Sequence, residues 1–176
     1  MSAAKVESIH IASLARAPVA AVSEAILVAG RGIVGDRYFD RRGTFSDWPQ
    51  DHEFTLIEAE AIEAVEAEYG LSLLPGETRR NVTTRGISLN ALEGEFFRIG
   101  ETVLCRGTRL CHPCAHLELV TAKGGLARLL ANRGGLRAHI LVGGIIRAGD
   151  TVELFDRSEG IRRLAASTDA AYNTEQ

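Results

Sequence analysis

From Arg80 onward the sequence is a succession of short strand-like runs separated by glycine, and this texture constrains the fold more than any other feature. Residues 81–84, 96–99, 102–106, 117–120, 136–142 and 151–155 are the candidate strands. Gly86, Gly94, Gly100, Gly107, Gly143, Gly144 and Gly149 mark the turns between them. Many short strands at close spacing predict a sandwich or barrel, and argue against a parallel, doubly wound sheet. Residues 126–132 read as a short helix that ends at Arg133-Gly134-Gly135.

The first half carries fewer strands and one clear helix. Residues 5–13 alternate, with Ile9 and Ile11 on one face and Ser8 and His10 on the other, so they read as a half-buried strand. A short apolar run at 25–28 follows, closed by Gly30 and Gly32. Gly32 and Gly35, three apart in Gly32-Ile33-Val34-Gly35-Asp36-Arg37, imply positive φ or a close approach of backbone. Residues 41–50 are polar and aromatic and read as a loop, and 54–57 as a strand. Over 58–69, Ala61, Ile62, Val65 and Tyr69 share one helical face, and Gly70 supplies the C-terminal cap. The 71–77 stretch with Pro75-Gly76 is turn-rich.

The chain has 176 residues, a length that predicts one domain with a core needing neither metal nor disulfide staples. The organisation expected is a domain over 1–157 and a tail over 158–176 that is partly helical or disordered. With 45% hydrophobic and 24% charged residues the composition is globular, and a net charge of −3 argues against a nucleic-acid partner. Lys5 and Lys123 are the only lysines; the other eighteen of the 20 basic residues are arginine, whose planar forks suit phosphate and carboxylate. No apolar run reaches membrane-spanning length and no signal pattern opens the chain, so no membrane partner and a cytoplasmic location are expected. Nothing in the sequence sets the oligomeric state.

Cys105, Cys111 and Cys114 lie within ten positions, an odd cluster unlike a secreted disulfide framework. Cys111-His112-Pro113-Cys114 admits several readings. A thioredoxin-type dithiol needs a helix after the motif and a proline opposite it, yet Pro113 is the last proline and 117–120 reads as a strand. A structural zinc site needs four ligands, and only Cys111, Cys114 and one of His112 or His116 are at hand. A single reactive thiolate, favoured by His112, His116, Arg106 and Arg109 nearby, would suit a soft metal or sulfur transfer. Buried packing is the plain alternative, and Cys105, which alternates with Val103, is assigned to it. The string Arg79-Arg80-Asn81-Val82-Thr83-Thr84-Arg85-Gly86 offers forks, an amide and hydroxyls to an anionic ligand, or forms a solvated loop.

These pieces, in order, resemble the MOSC domain, named for the C-terminal domain of molybdenum-cofactor sulfurase. The resemblance runs from about Val6 to Phe155 and includes Gly32-Ile33-Val34-Gly35-Asp36-Arg37, Thr55-Leu56-Ile57-Glu58 and Arg80-Asn81-Val82-Thr83. It continues through Phe97-Arg98-Ile99-Gly100, Pro113-Cys114, Arg133-Gly134-Gly135 and Gly144-Ile145-Ile146-Arg147-Ala148-Gly149-Asp150. It implies a mainly β (α+β) fold, a small β-barrel with a few short helices. It also implies that Cys114 carries sulfur as a persulfide or ligates molybdenum, and that Arg80, Asn81 and Thr83 map to the region holding the pterin of the molybdenum cofactor. Small bacterial members of this kind are linked to reduction of N-hydroxylated compounds.

The sulfurase proper also carries a pyridoxal-phosphate cysteine desulfurase, which this chain is too short to contain. Neither Lys5 nor Lys123 is placed to form an aldimine, so covalently bound pyridoxal phosphate is not expected. The site expected is therefore Cys114 as thiolate and molybdenum ligand, with His116 and Cys111 beside it. Arg80, Asn81, Thr83, Arg85, Asp36 and Arg37 would form the cofactor-binding wall, and Arg137 and His139 are further candidates on a late strand. A cysteine desulfurase or an electron-donor protein would be the partner. The competing readings are a dithiol redox protein using Cys111 and Cys114, and a non-catalytic module for an anionic pterin-like ligand.

Overall fold

The computed structural model describes residues 3–47 and 53–173. The loop expected over 41–50 is a series of turns up to Asp47, and its remainder lies outside the described residues. In chain order the elements are β1 (Lys5–Ile11), β2 (Ala20–Val22), β3 (Glu24–Val28), β4 (Gly32–Ile33), β5 (Phe54–Glu58), α1 (Ala59–Tyr69) and β6 (Val82–Arg85). A 3-10 turn (Leu89–Leu92) precedes β7 (Phe96–Ile99) and β8 (Val103–Leu110). Then come α2 (Ala115–Thr121), α3 (Leu126–Leu129), β9 (Leu136–Val142), β10 (Gly144–Arg147), β11 (Val152–Leu154) and α4 (Arg157–Asn173).

The strands form an eight-stranded sheet in the order β11-β7-β8-β9-β5-β6-β1-β2 and a three-stranded sheet in the order β10-β3-β4. All ladders are antiparallel except β5 with β6. The fold is thus mainly β with a few helices, as the glycine-broken texture predicts. The sheets are not closed into a barrel: a Lys5–Thr151 bridge brings the start of β1 to the β11 edge without a continuous ladder.

Two apolar clusters hold the sheets and helices together. The larger lies between the sheets and includes Ile9, Leu27, Leu56, Phe97, Leu136 and Ile146. The smaller lies on the helical side and joins Ile57 and Val65 to Leu73, Leu117, Leu126 and Leu130. Consecutive residues Leu56 and Ile57 therefore face opposite clusters and are both fully buried, which explains the adjacent apolar pair at the centre of β5.

Several sequence expectations need correction. In β1 the register shifts between Val6 and Ser8, so Val6 and Ile9 both reach the core and simple alternation fails. Tyr69 is 56% exposed; α1 buries Ala59, Ala61 and Val65, while the Tyr69 phenol joins Glu68 and Arg133 at the surface. Gly70 does cap the helix in the left-handed region, at φ 66°. Residues 117–120, expected as a strand, lie in α2: Leu117 packs on α3 in the smaller cluster, and Leu119 is exposed. Gly107 is not a turn but an interior position of β8, where a Cβ would stand 2.0 Å from the Leu92 carbonyl oxygen. The strands β2 and β10 were not foreseen. Residues 157–173, within the expected tail, are helical.

Candidate functional site

The β8 strand ends at Leu110, and residues 111–114 run on as a strap outside helix, strand, turn and bend. The strap is seated by the Arg133-Gly134-Gly135 segment. The Cys111 amide donates to the Gly135 carbonyl at 2.7 Å. A Cβ on Gly134 would stand 2.2 Å from the Cys111 carbonyl oxygen, and one on Gly135 would stand 1.9 Å from that of Leu56. Only glycine permits this triple approach of strap, β5 and the entry to β9. Cys114 is the residue before α2, with extended backbone (φ −141°), and is exposed, whereas Cys111 is buried. Both thiols are free. Cys105 is fully buried in the larger cluster, and burial raises its pKa well above the ordinary thiol value.

Cys114 borders a pocket lined by the guanidinium groups of Arg37, Arg79, Arg80 and Arg137. Tyr38, Thr44 and Phe45 form a second wall, and Thr55 with His112, Pro113, His116 and Leu117 completes the lining. No carboxylate lines it among the described residues. Three of these arginines are aimed by backbone contacts. Arg80 donates from Nε to the Gly134 carbonyl at 2.8 Å, Arg79 from Nη1 to the Ala17 carbonyl at 2.8 Å, and Arg37 from Nη2 to the Arg79 carbonyl at 3.4 Å. Arg79 adopts φ 60°, a costly conformation for a bulky side chain, and so turns into the pocket beside Arg80.

The Asp36 carboxylate is buried behind this cluster. Its Oδ2 accepts from Arg37 Nη1 at 3.1 Å, from the Ala12 amide at 3.2 Å and from Asn81 Nδ2 at 3.2 Å, while Oδ1 accepts from the Tyr38 amide at 3.1 Å. Burial and the neighbouring Arg37 hold the pKa of Arg79 below its ordinary value. His116 stacks edge-on against Phe45, with ring centroids 5.3 Å apart. Burial, then Arg16, Arg79 and Arg37, lower its pKa, so its imidazole is neutral at pH 7.

Of the residues singled out from the sequence, Cys114, His116, Arg37, Arg80 and Arg137 meet at this pocket. Asp36 and Asn81 stand beneath it as a buried tie: Asn81 Oδ1 accepts from the Thr55 amide and hydroxyl, and Nδ2 also donates to the His10 carbonyl. Thr83 lies farther along β6 and lines a separate pocket with Ser8, Ile62 and Leu73 beneath α1. Arg85 lies farther along β6, where Glu7 and Glu63 hold its guanidinium. His139 Nδ1 pairs with Glu53. Lys123 Nζ is held by Glu77 and the Ser72 carbonyl. Tyr38, Thr44, Phe45 and the second guanidinium, Arg79, went unselected. The Arg79-Arg80 pair was visible, but no periodicity marks a residue whose side chain is redirected by a positive φ.

The chain matches the MOSC domain family over residues 16–153, and it belongs to that family. No curated protein sequence matches it significantly. Among solved structures it is similar to the YuaD protein from Bacillus subtilis, with a TM-score of 0.72 and 19% identity, over 87% of this chain and 96% of that one. It is also similar to YiiM from Geobacillus stearothermophilus (TM-score 0.64, 16% identity, 88% and 76% covered). YiiM from Escherichia coli is comparable (TM-score 0.62, 20% identity, 87% and 70% covered). At these identities the likeness is one of fold. Among the described residues no helix is long and apolar enough to cross a membrane, and no group of His, Cys, Asp and Glu is placed to hold a metal ion by itself.

Proposed function

We propose that this MOSC-family chain binds the pterin-based molybdenum cofactor in the arginine-lined pocket, with Cys114 as the protein thiolate on the metal, and reduces N-hydroxylated compounds. One observation carries this reading: an exposed thiol stands at a pocket whose lining holds Arg37, Arg79, Arg80 and Arg137 and, among the described residues, no carboxylate. The cofactor fits that donor set, since it brings an anionic phosphate for guanidinium forks and a metal that accepts a soft thiolate. Such a cofactor carries most of its own metal ligands, so the protein need offer only one.

Bound there, the cofactor would supply two-electron chemistry at molybdenum. The overall change is N–OH plus two protons and two electrons to N–H plus water, with the electrons coming from a separate donor protein. Arg80 and Arg137 would grip the cofactor beside the strap, and Asp36 would fix Arg37. Neutral His116, close to Cys114, would stand ready to exchange a proton with the substrate. Tyr38 and Phe45 would flank a planar ligand.

A second reading uses the same cysteine without the metal. The exposure of Cys114 suits a persulfide received from a cysteine desulfurase and passed on by thiol exchange. Molybdenum and pterin measured in protein from a cofactor-replete host decide between the two. Stoichiometric cofactor in the wild type that disappears in Cys114→Ser supports the reductase. Neither species in either sample overturns it in favour of sulfur transfer.

A further inference from the structure

Several arginines on this protein are matched with glutamates: Arg85 with Glu7 and Glu63, Arg133 with Glu68, Arg147 with Glu24, and Arg157 with Glu95. Arg79 and Arg80, which line the pocket, and Arg16 form no ion pair with any described residue. Arg80 is anchored on one wall, at Gly134 beside the Cys111–Cys114 strap. Arg79 is anchored on another, at Ala17 of the loop between β1 and β2, where the Arg37 guanidinium also meets the Arg79 carbonyl.

At this second wall Arg37 and Arg79 have one carboxylate between them. Asp36 already receives two backbone amides, one side-chain amide and Arg37, so it acts on half-buried Arg79 through space and not by a direct ion pair. A partly buried guanidinium that lacks a direct ion pair can still take an arriving anion. Arg16 enters the same corner: it acts electrostatically on His116 together with Arg79 and Arg37. Arg16 precedes Ala17, whose carbonyl accepts from Arg79, and both arginines adopt φ 60°.

We propose that Arg16, Arg37 and Arg79 form a second oxyanion subsite, which holds a phosphate or carboxylate group on the small molecule brought to Cys114. The subsite selects planar substrates that carry an acidic group, because Tyr38, beside Arg37, and Phe45, beside His116, line the same pocket as Cys114. This inference rests on the reading that cofactor and substrate share the pocket. Arg80 and Arg137 are then left to the cofactor, and Arg79 with Arg16 to the substrate.

Calorimetric titration of phenyl phosphate into the full chain, purified from a cofactor-replete host, tests this, with molybdenum content measured on the same samples. Wild type should bind phenyl phosphate saturably. Arg79→Gln should weaken binding about tenfold or more, the loss expected for a charge-assisted fork, and Arg80→Gln by less than about threefold. Arg16→Gln, an exposed position whose side chain makes no hydrogen bond in the fold, should weaken it about threefold, and guards against a folding defect in the Arg79 variant. No saturable binding by wild type, or equal losses in the Arg79 and Arg80 variants, overturns the subsite. So does molybdenum content that falls in Arg79→Gln as it does in Arg80→Gln, because the corner would then hold the cofactor's own phosphate. Binding that follows Arg79 and Arg16 in protein devoid of molybdenum supports the subsite and counts against the cofactor reading alone.

Discussion

Asn81 Nδ2 donates to Asp36 Oδ2 across 3.2 Å, and this bond ties the 32–37 turn to the head of β6. The same amide reaches the His10 carbonyl, and its oxygen takes the Thr55 amide and hydroxyl. One side chain thus fixes β1, β5, β6 and the turn that presents Arg37. Asn81→Ala strands buried donors and acceptors on each of them, and should cost about 2–4 kcal/mol. Urea unfolding of the variant checks the figure; a change under about 0.5 kcal/mol would show that the tie is not structural.

The Arg80-to-Arg85 string separates into different tasks along one strand. Arg80 reaches the pocket, whereas Arg85 is occupied by Glu7 and Glu63 on the exposed side of β6. Arg80→Gln should lower the bound molybdenum and pterin severalfold, and Arg85→Gln should leave both at the wild-type level. Metal and pterin analysis of the purified variants reads this directly. Equal losses in the two variants would place Arg85 in the cofactor wall after all.

How far the sequence discloses the site depends on what each residue owes to local pattern. The MOSC fragments, the glycine-broken strands and the α1 cap are local signals, and they yielded the family, the β-rich class and Cys114. The Asp36–Asn81 tie joins residues 45 positions apart, so only the folded chain reveals that these polar residues support the pocket from below. Residues 117–120 misled because Leu117, Leu119 and Val120 suit a strand as well as a helix, and packing of Leu117 on α3 decided the matter. Arg79 was legible in the Arg79-to-Gly86 string but not assigned to the cofactor wall, because its residue type does not advertise the positive φ that sets its side chain.

Gly135 lies at φ 98° with the Leu56 carbonyl oxygen 1.9 Å from where a Cβ would be. Gly135→Ala must push β5 away from the entry to β9 and disturb the seat of the strap, since Gly135 also accepts the Cys111 amide. Destabilisation of about 3 kcal/mol or more is expected, from backbone strain and overpacking together. Gly124→Ala is the control, because nothing lies within 4 Å of its Cβ position. Thermal unfolding should separate the two variants by many degrees, and similar midpoints would contradict the close approach.

The three cysteines differ in access, which alkylation can read. Cys114 is exposed, while Cys105 and Cys111 are buried. Iodoacetamide should modify one thiol per chain in the native protein and all three after denaturation. Cys114→Ser should abolish native labelling without a measurable loss of stability. Cys111→Ser should leave native labelling intact and destabilise the fold by about 1–3 kcal/mol, since it buries a hydroxyl in a site built for a thiol. Rapid native labelling at Cys111 would overturn this arrangement and reopen a dithiol role.

His10 is buried on β1, its Nδ1 has no hydrogen-bond partner among the described residues, and burial lowers its pKa from the ordinary 6.5. Above that value both folded and unfolded chains carry it neutral, so it adds no pH dependence. As pH falls below 6.5, the unfolded chain takes up a proton that the folded chain resists, and stability declines until the lowered folded pKa is reached. His116, whose pKa is also lowered, acts in the same direction. His10→Leu should therefore flatten the loss of unfolding free energy between about pH 7 and pH 5, by up to roughly 1.4 kcal/mol per pH unit of lowering. Denaturant unfolding of wild type and variant across that range measures the difference, and parallel curves would mean that His10 takes up its proton in the folded chain as readily as in the unfolded one.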